Sequence, residues 1–135
     1  MRVAFGADED TPLAEAVRAY LTGAGYQVDV LADRATWPEV GRLVGEAVAS
    51  GVADRGVVCC WTGTGVSIAA NKVSGVRAAL CADAETARGA RRWNDANVVA
   101  LSLRLTSEHV ATEILDAFFV TDPDPGEADT IAQLD

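Results

Sequence analysis

Residues 56–72 read GVVCCWTGTGVSIAANK, and this stretch decides the fold. It opens with an apolar run that is typical of a buried strand, and it closes with residues at helical spacing. Between the two, residues 62–65 read TGTG, which is the composition of a tight turn. A strand that passes through a glycine turn into a helix is the repeating unit of a parallel α/β sheet.

The same alternation extends in both directions from this stretch. Helical segments follow Thr11-Pro12 and Thr36-x-Pro38, which are start signals, and three more begin near Val66, Ala84 and Ser107. Apolar runs rich in β-branched residues predict five strands, over residues 2–5, 27–31, 56–60, 77–81 and 97–101. We therefore expect βαβ units around one parallel sheet.

Length and charge restrict the organisation and the partners. A chain of 135 residues with 50% hydrophobic residues suits one core, which we assign to residues 1–120. Residues 121–135 are rich in proline and acidic residues, and they predict an extended or mobile C-terminal tail. The net charge of −9 argues against nucleic acid and anionic membranes as partners, because both require a positive surface.

The chain has no apolar run near the roughly 20 residues that span a bilayer, and its first residues form a predicted strand rather than a signal peptide. Three cysteines are an odd number, and Cys59 and Cys60 are adjacent, so neither a disulfide framework nor a zinc site is indicated. These features predict a cytoplasmic protein.

The glycine turn can attract negative charge. Its free backbone N–H groups and the positive end of the following helix point at one spot, which suits a phosphate or the oxyanion of an enediolate. A Gly-x-Gly turn can equally serve only to let a helix pack closely on a strand. Cys60, beside a helix N-terminus, could act as a thiolate base, or it could be a small buried hydrophobe. Periodicity leaves open whether Cys59 or Cys60 faces the site.

A second candidate position follows the first strand, where residues 6–11 read GADEDT. Ligands bind at the carboxyl ends of parallel strands, so Asp8 could hold sugar hydroxyls or relay a proton. The alternative is that these acids only stabilise the helix that follows. A metal site is not indicated, because no histidine or further carboxylate cluster supports one.

With these residues in view, the chain resembles the ribose-5-phosphate isomerase B and galactose-6-phosphate isomerase family over nearly its whole length. The matching motifs are residues 53–56 (ADRG), Cys60-x-Thr62-Gly63-x-Gly65, residues 67–73 (SIAANKV), residues 75–81 (GVRAALC) and residues 94–98 (NDANV). The resemblance implies a three-layer, doubly wound, flavodoxin-like or Rossmann-like fold whose five parallel strands have the order 2-1-3-4-5.

The resemblance also implies an activity and an assembly. The expected reaction is aldose-ketose isomerisation of a small sugar or sugar phosphate through a cis-enediolate, without a cofactor or a metal. The expected assembly is a homodimer, or a tetramer, whose active sites are shared between subunits.

Site roles carry over by position. Cys60 resembles the base that moves the proton between C2 and C1, and Thr62 resembles the hydroxyl that assists ring opening. Arg104 is similar to an arginine that reaches the phosphate from the partner subunit. The expected substrate-binding set comprises Asp8, Glu9, Trp61, Gly63, Thr64, Gly65, Ser67, Trp93, Asn94 and Arg104.

The chain departs from the family pattern at three places. Glu9 and Trp93 occupy positions where members carry histidine, and the tail after residue 120 has no basic residue. Loss of charge-assisted contacts disfavours ribose 5-phosphate. Trp93 replaces the group that helps to open the sugar ring in the family, which indicates a substrate that is open-chain, short, or opened by another residue. Trp61, where members carry glycine, could narrow the pocket or stack on a sugar.

Two other functions fit the same residues. A non-catalytic sugar-binding or regulatory relative would account for the missing histidines and arginines. A nucleotide- or flavin-binding module of the same fold is less well supported, because the turn lacks both a P-loop lysine and a dinucleotide fingerprint.

Overall fold

The structure, a computed structural model, describes residues 1–32 and 35–135. Strands and helices alternate along the described chain, and two 3₁₀ turns flank the last helix. In chain order the elements are β1 (Arg2–Ala7), α1 (Pro12–Gly23), β2 (Gln27–Val30), α2 (Trp37–Ala49), β3 (Arg55–Cys60), α3 (Thr64–Asn71), β4 (Ala78–Leu80), α4 (Ala84–Asn94), β5 (Val98–Ser102), α5 (Glu108–Val120) and α6 (Ala128–Ile131).

The strands form one parallel sheet, which confirms the predicted fold class, but its order is β2-β1-β3-β5-β4. The expected order 2-1-3-4-5 was therefore wrong for the last two strands. An interior parallel strand must be apolar on both faces, and β5 is buried along its whole length. By contrast, β4 has three residues and ends at the exposed Leu80, so it suits the edge.

Helices cover both faces of the sheet. One core joins the sheet to α1, α4 and α5, and the other joins it to α2 and α3. Successive residues of β3 alternate between the two cores: Val57 and Cys59 belong to the first, and Val58 and Cys60 to the second. The three-layer, doubly wound prediction is thereby confirmed.

The helix starts follow the sequence signals closely. The Thr11 side chain accepts a hydrogen bond from the Ala14 N–H, and the Ser107 side chain accepts one from the Val110 N–H. Helix α3 begins at Thr64, two residues before the expected start, because Gly63 takes the N-cap position with φ of 78°. Glycine adopts this left-handed conformation without the steric cost that a Cβ brings.

The tail is not extended, contrary to the expectation. Residues 125–134 form a 3₁₀ turn, the short helix α6 and a second 3₁₀ turn, without a buried side chain. The first turn is capped by Asp124, whose side chain accepts a hydrogen bond from the Gly126 N–H. Pro125, one of the prolines on which the expectation rested, begins this turn instead. No helix in the described ranges has the length and apolar character needed to cross a membrane.

Candidate active site

The two candidate turns meet at the carboxyl edge of the sheet. β1 and β3 are hydrogen-bonded neighbours, and the Asp8 N–H beyond β1 donates to the Cys59 carbonyl at 3.3 Å. The chain runs outward to β2 on one side of this pair and to β5 and β4 on the other. Asp8 and Cys60 therefore flank the switch point where open parallel sheets bind ligands.

The structure distinguishes the three thiols. Cys59 is enclosed in the core beneath α1 and α5, and burial raises the pKa of its thiol to about 12. Burial likewise raises the pKa of Cys81 to about 12. Both thiols stay protonated at neutral pH and cannot serve as thiolate bases. Cys60 lies on the opposite face, is 5% exposed, and is the last residue of β3 before the turn.

The glycine turn presents unpaired backbone donors. Within the described part of the chain, the N–H groups of residues 62–66 donate no hydrogen bond to another residue. We call these N–H groups the amide cradle. Above it, the exposed hydroxyls of Thr62 and Thr64 are 2.7 Å apart and share a hydrogen bond. Ser67 is half-buried in the first turn of α3, so it lies directly behind the cradle. Such an array of donors at a helix start can stabilise an oxyanion or a phosphate.

Packing holds the turn against β5. A Cβ on Gly63 would lie 2.6 Å from Leu80 Cδ1 and 3.0 Å from the Ser102 nitrogen, so glycine is required by space as well as by φ. The Arg104 N–H donates to the Trp61 carbonyl at 2.9 Å. Arg104 therefore begins beside the turn of its own chain, and both Arg104 and Trp61 are exposed.

A cleft of about 300 Å³ opens between the turn and the ends of β4 and β5. Its lining includes Thr62, Leu80, Thr86, Ser102, Leu105 and Thr106. All of its lining side chains are uncharged, and several carry hydroxyl groups. Thr62 represents the glycine turn in this lining, which contains neither Asp8 nor Cys60, so the cleft borders the candidate site on the side of β4 and β5.

The carboxyl group of Asp8 has a raised pKa. Burial, and secondly the adjacent carboxylate of the exposed Glu9, raise the pKa of Asp8 above its ordinary value. Its Oδ1 is buried and has no hydrogen-bond partner among the described residues. A carboxyl group in this state can hold a ligand hydroxyl or exchange a proton with one. The described residues contain no group of three His, Cys, Asp or Glu side chains placed to bind a metal ion.

Two predicted site residues are not brought to Cys60 within one chain. Trp93 and Asn94 end α4, a helix that starts beyond β4 and returns to the beginning of β5. Eleven helical residues span about 16 Å, so this end of α4 belongs to the opposite edge of the sheet. There Trp93 packs over Gly89, and Asn94 lines a cleft that also includes Leu134 of the tail.

Trp37 is a site residue that the sequence reasoning missed. It begins α2 at the carboxyl edge of the sheet and is exposed. Its ring lies against the cradle, because a Cβ on Gly65 would be 2.8 Å from Trp37 Cδ2. We interpreted residues 36–38 only as a helix start. The detectable signal was a large aromatic residue at the start of a helix that follows a strand, which is the edge where ligands bind.

Comparison with known proteins identifies the family. The ribose/galactose isomerase family model matches residues 3–133. Galactose-6-phosphate isomerase subunit LacB of Clostridium acetobutylicum is 39% identical over 87% of this chain and 71% of its own length. D-erythrulose-4-phosphate isomerase of Pectobacterium atrosepticum is 36% identical over 87% of this chain and 82% of its own length.

The fold leads to the same family. Ribose-5-phosphate isomerase B of Clostridium thermocellum superposes with a TM-score of 0.94, at 35% identity, over 99% of this chain and 95% of that one. The family model and the superposed Clostridium thermocellum structure both match nearly all of this chain, including the edge that carries Asp8 and Cys60. The chain therefore belongs to the ribose/galactose isomerase family, and it is a sugar isomerase.

Proposed function

We propose that the protein interconverts an aldose phosphate and a ketose phosphate through a cis-enediolate, with Cys60 as the base. The observation that carries this proposal is the position of Cys60, immediately before the unpaired N–H groups of residues 62–66. Proton abstraction beside a carbonyl needs a base and a donor for the developing oxyanion at neighbouring positions. Cys59 and Cys81, which have a pKa of about 12, do not meet the first requirement.

The proton balance is simple. The Cys60 thiolate takes the proton from C2 of the aldose, and the electron pair of the C–H bond moves to give an enediolate whose O1 carries negative charge. The amide cradle stabilises that charge. The C2 hydroxyl then loses its proton while O1 gains one, and Cys60 returns its proton to C1, which yields the ketose. No external oxidant or reductant is required.

Asp8 is suited to the exchange between the two oxygens. Its pKa is raised by burial, so its protonated form is more accessible than that of an ordinary aspartate, and its Oδ1 lacks a partner in the described chain. Glu9 next to it would accept hydroxyl hydrogens rather than bind phosphate, because two anions repel. Thr62, bonded to Thr64, provides a hydroxyl at the other side of the cradle.

The preferred substrate is a four-carbon sugar phosphate in open-chain form. An aldotetrose with phosphate on O4 has no free hydroxyl that can close a five- or six-membered ring, so no residue is needed to open one. Trp93 stands where members of the family carry histidine, and a relative named D-erythrulose-4-phosphate isomerase is 36% identical to this chain.

The functional unit is a homodimer in which each site draws on both subunits. Within one chain, Trp93 and Asn94 lie at the opposite edge of the sheet from Cys60. A site that contains both groups therefore requires a second copy. Symmetric pairing places each copy's α4 end against the other copy's glycine turn and forms two equal sites.

Deuterium exchange tests the reaction and the substrate together. The protein is incubated in D₂O with D-erythrose 4-phosphate, D-erythrulose 4-phosphate, D-ribose 5-phosphate or D-ribose, and label at C1 and C2 is followed by NMR. We expect label and isomerisation with the tetrose phosphates at the highest kcat/KM. Faster turnover of ribose 5-phosphate would contradict the substrate, and no label with any of the four sugars would contradict the enediolate.

A further inference from the structure

Ser102 is a polar residue in a place that favours an apolar one. It ends β5, a strand whose other members are apolar, and it pairs in register with Cys60 of β3. Its side chain is buried, with the whole residue 7% exposed. A buried hydroxyl destabilises the fold unless hydrogen bonds compensate its loss of water. The hydrogen bonds of the Ser102 hydroxyl therefore indicate its structural role.

Both bonds of the Ser102 hydroxyl go to loops at the carboxyl edge. The Oγ donates to the Trp61 carbonyl at 3.0 Å and accepts from the Leu105 N–H at 3.0 Å. The Arg104 N–H donates to the same Trp61 carbonyl at 2.9 Å. The Trp61 carbonyl is thus fixed by two donors, and Ser102 is the only one of them that is a side chain.

The direction of this carbonyl determines the direction of a cradle donor. In a planar trans peptide the C=O and the next N–H point in opposite directions. Since the Trp61 carbonyl is held toward β5, the Thr62 N–H is directed away from β5, into the open side of the turn. That N–H is the first member of the amide cradle, and it has no partner among the described residues.

We propose that Ser102 is a positioning residue for the isomerisation, acting by fixing the Trp61-Thr62 peptide so that the Thr62 N–H faces the enediolate oxygen. This inference rests on the proposed function, because it assigns a role within the same amide cradle. Preorganised donors stabilise a transition state because their orientation costs nothing at the moment of reaction. Loss of the hydroxyl leaves the Trp61 carbonyl held by the Arg104 N–H alone, so the Thr62 N–H is less firmly oriented.

The chain provides a control hydroxyl outside the candidate site. The Thr112 Oγ1, in α5, donates to the Glu108 carbonyl at 3.2 Å. Thr112→Val therefore removes a hydroxyl-to-carbonyl hydrogen bond of the same kind without touching the glycine turn. Ser102→Ala removes both bonds, and Ser102→Cys retains the side-chain volume with a weaker donor.

The test compares a mimic of the enediolate with a substrate mimic that has no carbonyl group. Calorimetry measures the binding of 3-phospho-D-glycerohydroxamate, whose N–O and C=O oxygens correspond to O1 and O2 of the tetrose enediolate, and of D-erythritol 4-phosphate, which has no oxyanion at that position. For Ser102→Ala we expect about tenfold weaker hydroxamate binding and about tenfold lower kcat, with erythritol phosphate binding and KM unchanged, since tenfold corresponds to about 1.4 kcal/mol. Ser102→Cys should be intermediate, and Thr112→Val should match the wild type.

The outcomes separate this inference from the proposed function. Equal loss of both ligands in Ser102→Ala, or equal hydroxamate loss in Thr112→Val, would overturn the positioning role while the wild type remained active. If Ser102→Ala does not fold, wild-type selectivity in Ser102→Cys would overturn it. A wild-type protein that neither binds the hydroxamate nor isomerises would instead overturn the proposed function.

Discussion

The ring of Trp37 lies against the backbone of Gly65, so close that a Cβ on residue 65 would be 2.8 Å from Trp37 Cδ2. This contact joins the start of α2 to the first turn of α3. It also places an exposed aromatic ring beside the amide cradle.

Gly65→Ala should therefore displace Trp37. We expect a loss of about 1 to 3 kcal/mol in unfolding free energy, as is typical of overpacking, and a lower kcat/KM. Combining it with Trp37→Ala should return part of the stability, because the clash disappears with the ring. Urea unfolding of the two single variants and the double variant measures the coupling, and additive effects would show that the two residues do not interact.

Gly63→Ala should be more damaging than the same change at Gly25. Both residues have positive φ, 78° and 91°, but a Cβ at position 63 meets Leu80, Leu101 and Ser102, and a Cβ at position 25 meets nothing within 4 Å. We expect about 1 kcal/mol for Gly25→Ala, the cost of backbone strain alone, and about 3 kcal/mol or more for Gly63→Ala. Equal losses in chemical denaturation would show that the contacts at position 63 are unimportant.

Cys60→Ala should abolish most of the activity, whereas Cys59→Ala should not. Loss of a general base lowers kcat by about 10²- to 10⁴-fold. Cys59 lies on the other face of β3, so its truncation should cost about 1 kcal/mol of stability and leave kcat per folded molecule unchanged. The rate of deuterium entry at C2 measures the activity of both variants. Undiminished exchange in Cys60→Ala would refute the role of the thiol.

Asp8→Asn should stabilise the protein at neutral pH and lower its activity. Burial and Glu9 raise the folded-state pKa of Asp8, so its favourable contribution is complete below its ordinary pKa and is lost as pH rises through the raised value. At pH 7 the ionised Asp8 of the wild type lowers the free energy of unfolding, and the uncharged asparagine of the variant does not. Melting curves should show a higher Tm for the variant at pH 7 and a smaller difference near pH 3. A lower Tm at pH 7 would contradict the assignment.

Mixing two inactive variants tests the shared site. Cys60→Ala and Asn94→Ala should each be inactive as homodimers, but a mixed dimer contains one site with both native groups. An equimolar mixture, after subunit exchange, should recover about a quarter of the wild-type activity. A mixture that stays inactive, or an Asn94→Ala protein with normal kcat, would indicate that each site is built from one chain.

The sequence predicted the local elements well, because each has its own signal. Thr11, Pro12 and the apolar spacing of the first helix agree with the structure, and the glycine turn ends a strand as expected. The order of β4 and β5 depends on which of the two strands is apolar on both faces. The order 2-1-3-4-5, which the resemblance implied, placed the wrong one in the interior. Alternation could separate Cys59 from Cys60 only after the register of β3 was known.

The site was predicted less completely, because it depends on contacts between distant segments. Asp8 and Cys60 could be grouped, since both follow strands at one edge. The contact of Trp37 with Gly65 and the bond of Ser102 to the Trp61 carbonyl join residues 28 or more positions apart, and no local pattern encodes them. Trp93 and Asn94 matched a family motif in sequence, but their distance from Cys60 in one chain became visible only in the fold.

The insertion of β5 next to β3 has a consequence for how this enzyme can be altered. Leu103 and Arg104, which follow β5, donate backbone hydrogen bonds to the Cys60 and Trp61 carbonyls, whereas residues 81 and 82, which follow the edge strand β4, border the same cleft without such a bond in the described chain. Substitutions in the first segment therefore act on the glycine turn through one hydrogen bond. Libraries that aim at new sugar preferences should therefore diversify the exposed positions 104 and 105 before the segment at the sheet margin.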